Sequence, residues 1–289
     1  MRRLTFLLGI WILGAQLPLQ AQQMILKDIE MTVDSTTSLQ IVGGIRSSGS
    51  VLTNEGTMTL SDSFANSGGS TYVGAGDLDF SGDGSQAITG LETMQNFSVD
   101  NGAFVELTED LTLTGTLSLD NGKLKLGSYS LILSPTATVT GYDADNYIQT
   151  DATGTVDMEV GASAVLFPVG NDTYAPVSLQ NAGTTDTFRI RVVNDLLTDG
   201  TSGTNIGADA VGKTWLISEE VPGGSDVSMS LQWTAAEELT GFDHSAARFL
   251  HHNGVVWEEL STQAVDTIST GVYSLTQTGV DDFSPFWCQ

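Results

Sequence analysis

Residues 97–139 read FSVDNGAFVELTEDLTLTGTLSLDNGKLKLGSYSLILSPTATV, and the spacing of their apolar residues decides the fold class. Pairs of apolar residues, separated by one residue, recur here every six to eight positions. This alternation is typical of β-strands with one buried face, and only Ile132 interrupts it. The pairs are Phe97/Val99, Val105/Leu107, Leu111/Leu113, Leu117/Leu119, Leu124/Leu126 and Leu131/Leu133.

A second period of about twenty residues relates these pairs to one another. Phe97 leads to Leu117 and then to Ala137, and upstream the same phase runs back to Leu39. Because three short strands fit into each period, one period corresponds to one triangular coil that packs on the next. The sequence therefore predicts a parallel β-helix of about five to six rungs.

Corner signals follow the same period. Asn101-Gly102 and Asn121-Gly122 lie twenty residues apart, and an aspartate precedes each of them. Asparagine and glycine tolerate the positive φ that a tight corner needs. We therefore predict a corner with positive φ at both sites.

The first 21 residues have the features of a secretory signal peptide. Arg2 and Arg3 precede a mostly apolar run at residues 4–13, and Ala21 supplies the small residue of a cleavage site. No later apolar run is long enough to cross a bilayer, so we expect no membrane insertion after cleavage. Since Cys288 is the only cysteine, an internal disulfide is excluded. We expect export to the extracellular space or cell surface, with the periplasm as the alternative.

The chain is strongly acidic, with a net charge of −25, or −27 once Arg2 and Arg3 are removed. Such a charge repels nucleic acid and anionic lipid, so neither is an expected partner. Sulfated or uronic polymers would need a bridging cation. Because the acidic residues are spread over both halves, solvation is a more typical explanation than calcium ligation.

The twenty-residue phase ends near Thr140, and four of the six prolines lie beyond it. We therefore predict a β-solenoid domain at residues 22–140 and a second domain at 141–289. Seven strand candidates in the second domain are typical of an antiparallel Ig-like β-sandwich. These are residues 176–180, 187–193, 213–217, 227–234, 248–252, 255–260 and 271–276.

Two local patterns support the sandwich prediction. Asn253-Gly254, between two of the strand candidates, is a strong hairpin signal. Met229, Leu231 and Trp233 share one strand parity and are expected to fill the core between the sheets.

Several segments carry a resemblance to a known group of proteins. FSGDGSQAITG at residues 80–90, with the Leu- and Thr-rich rungs after it, resembles the solenoid modules of large secreted surface proteins from Bacteroidetes. The second half resembles the module that follows in those proteins, through FPVG at 167–170, KTWLI at 213–217, LQW at 231–233 and FSPF at 283–286. The resemblance implies a solenoid followed by a β-sandwich, and an extracellular location. It also implies a type IX secretion substrate, but one without the C-terminal sorting domain that members often carry.

One weak calcium motif lies in the solenoid. Asp77, Asp79 and Ser81, followed by Gly82, match the first half of a calcium loop. Ile88 stands where the loop needs a bidentate acid. Strand parity offers another interpretation, because Asp77 and Asp79 would point outward on a solvated face. Calcium is therefore an alternative, and no other cofactor is predicted.

The sequence lacks an enzyme's usual signatures. His251 and His252 are neighbours on a predicted strand, so they face opposite sides and cannot chelate one metal. A polysaccharide lyase would need clustered acids and a base, and the solenoid offers only four basic residues. These are Lys27, Arg46, Lys123 and Lys125. No nucleophile elbow or phosphate loop is present, so we predict no catalytic residues and no enzyme.

The leading hypothesis is an exported, non-catalytic structural or adhesive protein that acts as a rigid binding or spacer module. The alternative is a carbohydrate-binding module, assisted by calcium. A polysaccharide lyase-like enzyme is a remote third. Extracellular glycans or other surface proteins are the expected partners. Outward rows such as Thr57/Thr59 and Thr116/Ser118 could bind ordered water or a glycan, although threonine is also common on any exposed strand.

Overall fold

The computed structural model describes residues 2–5 and 23–289, and its regular secondary structure consists of β-strands and one short 3₁₀ helix. The predicted signal peptide lies largely outside the described residues. The chain divides into two compact units, Met1–Tyr147 and Ile148–Gln289. We call them the solenoid unit and the sandwich unit. The sequence placed this boundary at Thr140.

The solenoid unit consists of short strands that follow one another at regular intervals. They are β1 (Arg2–Thr5), β2 (Met24–Lys27), β3 (Ile29–Val33), β4 (Ser38–Ile41), β5 (Ile45–Ser48), β6 (Val51–Asn54), β7 (Thr57–Leu60), β8 (Phe64–Ser67), β9 (Thr71–Val73), β10 (Asp77–Phe80), β11 (Gln86–Thr89), β12 (Thr93–Met94), β13 (Asn96–Leu107), β14 (Leu111–Leu113), β15 (Thr116–Lys125), β16 (Leu131–Leu133) and β17 (Thr138–Thr140).

These strands form the three faces of a parallel β-helix. Face 1 holds β3, β6, β9, β12, β14 and β16; face 2 holds β4, β7, β10, the first halves of β13 and β15, and β17; face 3 holds β2, β5, β8, β11 and the second halves of β13 and β15. Between Met24 and Thr140 this gives six complete rungs, and β1, parallel to β3, begins another. The predicted parallel β-helix is confirmed.

The predicted stacking register is present over most of the solenoid. Met58 pairs with Leu78, Leu78 with Phe97, and Phe97 with Leu117, and all four side chains are buried. Each inward residue therefore packs on its counterpart in the next rung, which is how a solenoid forms one continuous core.

The prediction is wrong at the last rung. Leu117 pairs with Val139 and not with Ala137, because the final coil is two residues longer than the period. The extra length comes before β17, where Ala137 donates its N–H to Ser134 O in a turn.

The two Asn-Gly corners also differ from each other. Gly122 has φ +99, and a Cβ there would lie 2.0 Å from Asn101 O, so only glycine fits. Gly102 does not have positive φ; it lies within β13, where the pairing register shifts between Asp100 and Phe104. The prediction for Gly102 is therefore wrong.

A buried amide network explains the corner at Asn101. The Asn101 side chain is fully buried, and its Nδ2 donates to Gly84 O at 2.7 Å and to Gln86 Oε1 at 2.6 Å. Its Oδ1 accepts from the Ala103 N–H at 2.7 Å. Gln86 Nε2 in turn donates to Leu60 O and Asp62 O. The side chain thus satisfies backbone groups that a regular turn would pair.

The sandwich unit contains strands of more varied length. They are β18 (Ile148–Gln149), β19 (Val156–Val160), β20 (Val165–Phe167), β21 (Val169–Gly170), β22 (Val177–Asn181), β23 (Asp186–Val193), β24 (Thr214–Glu219), β25 (Val227–Thr234), a 3₁₀ helix (Ala235–Glu237), β26 (Ala247–His252), β27 (Trp257–Gln263), β28 (Asp266–Ser269), β29 (Val272–Val280) and β30 (Pro285–Cys288).

Two antiparallel sheets make the sandwich, whereas β18 and β21 pair with each other in parallel. One has the order β19-β23-β24-β30-β26-β27, and the other has the order β20-β22-β25-β29-β28. Met229, Leu231 and Trp233 are fully buried, as predicted. Asn253-Gly254 lies in the β26–β27 hairpin, where Asn253 Oδ1 accepts from the Val255 and Val256 N–H groups. The β-sandwich prediction is confirmed, with more strands than the seven expected.

Candidate functional site

A polar concavity of the solenoid unit lies on face 2. It is a groove of about 510 Å³, and it contains all three residues of the predicted calcium motif, Asp77, Asp79 and Ser81. Two further acidic residues, Asp100 and Asp120, line the same groove. We call it the acidic groove. Its remaining lining residues are Thr59, Phe97, Ser98, Thr116 and Ser118.

Strand register positions these side chains. Asp79 pairs with Thr59 on the preceding rung and with Ser98 on the following one, so their side chains share one outward column. The predicted outward parity of Asp77 and Asp79 is confirmed, since Leu78 and Phe80 between and after them are fully buried. The whole column runs Gln40, Thr59, Asp79, Ser98, Ser118 and Thr140.

The Asp79 carboxylate is held by hydroxyl groups from both neighbouring rungs. Ser98 Oγ donates to Asp79 Oδ1 at 2.8 Å, and Thr59 Oγ1 donates to Asp79 Oδ2 at 3.4 Å. Burial is the largest influence on this carboxyl and raises its pKa, and the charges of Asp77 and Asp120 raise it further. The two hydroxyl contacts act in the opposite direction. Ionisation of the Asp79 carboxyl is therefore less favourable in the folded protein than in water.

We expect Asp79→Asn to stabilise the protein at pH 7. A raised pKa in the folded state means that Asp79 contributes stability below its unfolded pKa, and this is lost as pH rises through the folded value. Asparagine removes the charge, for a gain of no more than about 1 kcal/mol because the site is partly solvated. Urea unfolding at pH 7 and pH 3.5 measures the effect. The gain should shrink at pH 3.5, and Asp83→Asn, at an exposed position, should change little. Equal gains at both pH values would contradict this explanation.

Sequence reasoning missed Asp100 and Asp120 as members of the groove. Both precede the Asn-Gly corners, and their twenty-residue spacing was visible in the repeat. Ser118 Oγ donates to Asp120 Oδ1 at 2.6 Å, which ties this carboxylate to the outward column. Asp100 and Asp120, at the corners, therefore add negative charge to face 2, whose outward strand residues are mostly neutral.

The groove does not show a complete metal-ligand set. Within the described part of the chain, no three His, Cys, Asp or Glu side chains lie close enough to hold a metal ion. The Asp79 oxygens already accept hydrogen bonds from Ser98 and Thr59. Calcium at Asp77, Asp79 and Ser81 stays a prediction.

The histidines of the sandwich unit contact aromatic rings or a carboxylate. His251 and His252 are both buried, and their rings pack against Phe286 at 4.8 Å and Trp257 at 5.1 Å, respectively. His244 Nε2 lies 2.9 Å from Glu238 Oε2. These histidines belong to the sandwich unit, whereas the residues of the acidic groove belong to the solenoid unit.

We expect His251→Phe to make the protein less sensitive to acid. Burial is the largest influence on His251 and lowers its pKa; the charges of Asp282 and Glu258 oppose this, and His252 adds to it. Because its folded pKa lies below the unfolded value, stability is lost as pH falls from about 6.5 through the folded pKa. Melting temperatures from pH 7.5 to 5 should fall less steeply in His251→Phe. Identical slopes for the two proteins would rule out this role.

Two solenoid lysines, the candidate bases of the lyase hypothesis, contact aromatic rings. Lys123 Nζ lies 4.4 Å from the centre of the Tyr147 ring, and Lys125 Nζ lies 5.1 Å from that of Phe104. Neither lysine lines the acidic groove. Among the residues that line the groove in the described part of the chain, none is basic.

Comparison with known proteins found no match to a protein-family model, a curated protein or a solved structure. Among the described residues, no helix is long and apolar enough to span a membrane.

Proposed function

We propose that this chain is an exported, non-catalytic structural or adhesive protein, a rigid binding or spacer module that contacts extracellular glycans or other surface proteins. The observation that carries the proposal is the outward column of face 2. Six successive rungs there present a polar side chain at one lateral position, from Gln40 to Thr140. A backbone hydrogen-bonded ladder fixes their spacing at about 4.8 Å. Such a surface can match a partner with a repeating structure.

Adhesion by face 2 can be tested with variants that introduce two positive charges. Ser98→Lys combined with Ser118→Lys changes the centre of the column, whereas Thr112→Lys combined with Ile132→Lys changes face 1 by the same charge. We expect the first variant to lose binding to immobilised extracellular polymers and the second to retain it, with similar melting temperatures. If both variants bind as the parent does, face 2 is not the adhesive surface.

A carbohydrate-binding module assisted by calcium is the second candidate, and the acidic groove favours it. Four carboxylates line it beside serine and threonine hydroxyls, and a cation would relieve the repulsion that Asp77 and Asp120 exert on Asp79. A glycan array read with and without EDTA separates the two candidates. Chelator-sensitive binding to one sugar class supports this second function. Release of unsaturated products from a polysaccharide would instead support the lyase-like alternative.

A further inference from the structure

Face 1 is not one continuous ladder. β3, β6 and β9 belong to one sheet, whereas β12, β14 and β16 belong to another. β9 pairs with β6 and β12 pairs with β14, but no pairing joins β9 to β12 within the described residues. Each strand therefore presents an open backbone edge to the same space.

This interruption opens a cleft of about 420 Å³, which we call the face 1 cleft. The volume lies within the range of small-molecule sites. Tyr72 and Val73 of β9 form one side, and Glu92 and Thr93 form the other. The Leu91 N–H donates to Glu109 Oε1 at 2.7 Å, so a side chain replaces the missing strand contact.

Asn66 gives the cleft an unused hydrogen-bond acceptor. The side chain is only 8% exposed and lines the cleft. Its Nδ2 donates to Ser70 O at 3.0 Å and to Gly90 O at 3.2 Å. Because both partners are carbonyl oxygens, the amide group can have only this orientation. Asn66 Oδ1 is then buried without a hydrogen-bond partner, an arrangement that a ligand donor would satisfy.

The other groups of the cleft are acceptors and apolar surface. Glu92 is exposed, and Glu109 lies beside it. The Tyr72 ring packs edge-on against Phe64 at 5.4 Å, and Val73 is 49% exposed. A fitting ligand would thus donate several hydrogen bonds, carry no negative charge and offer an apolar face.

We propose that the face 1 cleft binds a neutral oligosaccharide. Sugar hydroxyls supply the donors for the glutamates, and for Asn66 Oδ1 once movement of the cleft wall uncovers it, and the C–H face of a ring packs on exposed Val73. The carboxylates disfavour an anionic polymer. An inserted peptide strand would find only two residues in β12 to pair with. This site extends the proposed binding function but does not depend on the acidic groove.

The test is a titration of the full chain with neutral hexasaccharides: cello-, xylo-, manno- and laminarihexaose. Thr93→Trp fills the cleft at an exposed position, and Ile132→Trp places the same side chain on the outer side of face 1, two rungs further on. We expect at least one hexasaccharide to bind, Thr93→Trp to weaken it at least tenfold and Ile132→Trp to leave it within twofold. Glu92→Gln should weaken it severalfold.

Hydrogen exchange locates the ligand. Bound hexasaccharide should slow exchange of the amides at residues 70–73 and 91–94 and leave residues 116–118 of the acidic groove unchanged. The proposal is overturned if no hexasaccharide binds, if Thr93→Trp binds like the parent, or if protection appears at 116–118. The last result would support the acidic groove as the glycan site instead.

Discussion

Leu131→Ala is expected to lower the free energy of unfolding by about 2–5 kcal/mol. Leu131 is fully buried in β16 and pairs with Leu111 of the rung before it. Alanine would leave a cavity in a core that each rung shares with its neighbours, so the loss combines apolar transfer with lost packing. Urea unfolding followed by circular dichroism measures the change.

The adjacent residue supplies a matched control. Ile132 is 37% exposed on the outer side of the same strand. Ile132→Ala removes apolar surface of similar size but should cost less than about 1 kcal/mol. If the two variants are equally destabilised, β16 does not have the inward and outward sides assigned to it.

Asn101→Ala is expected to cost about 1–3 kcal/mol, although it removes only a polar side chain. Three partners would lose a contact at once: the part-buried Gly84 O and Ala103 N–H, and the buried Gln86 Oε1, which keeps its bond from the Gly82 N–H. A buried polar group without a partner costs its full desolvation energy. The melting temperature should fall accordingly.

Asn121→Ala is the control, because Asn121 lies on the following rung but is exposed. We expect a change of about 0.5 kcal/mol or less. A small effect at Asn101 as well would show that water replaces the side chain, and the network would then not be a structural requirement.

The alternation of apolar residues and their twenty-residue period together predicted the solenoid. Each inward residue of its core packs on the equivalent residue of the next rung, so the core leaves a regular pattern in the sequence. Apolar parity correctly placed Leu78 inside and Asp79 outside. What the pattern could not predict is where polar side chains enter the core. Asn54, Asn66 and Asn101 are buried, since their amides bond to backbone groups at the corners. Nothing in the local sequence distinguishes them from exposed Asn121.

In the sandwich, the missed strands have physical explanations. β30 begins at Pro285, and proline usually argues against a strand, but the first residue of a strand tolerates it. β28 is exposed at all four positions and so lacks the alternation that marks a half-buried strand.

The candidate site was partly predictable. Strand parity placed Asp77 and Asp79 on the outer side of face 2. That Asp100 and Asp120 join them could be inferred only by stacking the corners of successive rungs. The face 1 cleft was not predictable. The spacing of apolar residues stays regular between β9 and β12, although the two strands are not hydrogen-bonded to each other.

The most direct test of the stacked register is a distance between spin labels at Gln40→Cys and Thr140→Cys. Both positions are exposed, and five register steps separate them through Thr59, Asp79, Ser98 and Ser118. The native Cys288 is buried and should not react. Five steps of about 4.8 Å predict a backbone separation of about 24 Å, with a narrow distribution around it for the labels. A broad distribution, or a mean separation of roughly twice that spacing or more, would contradict the stacked solenoid.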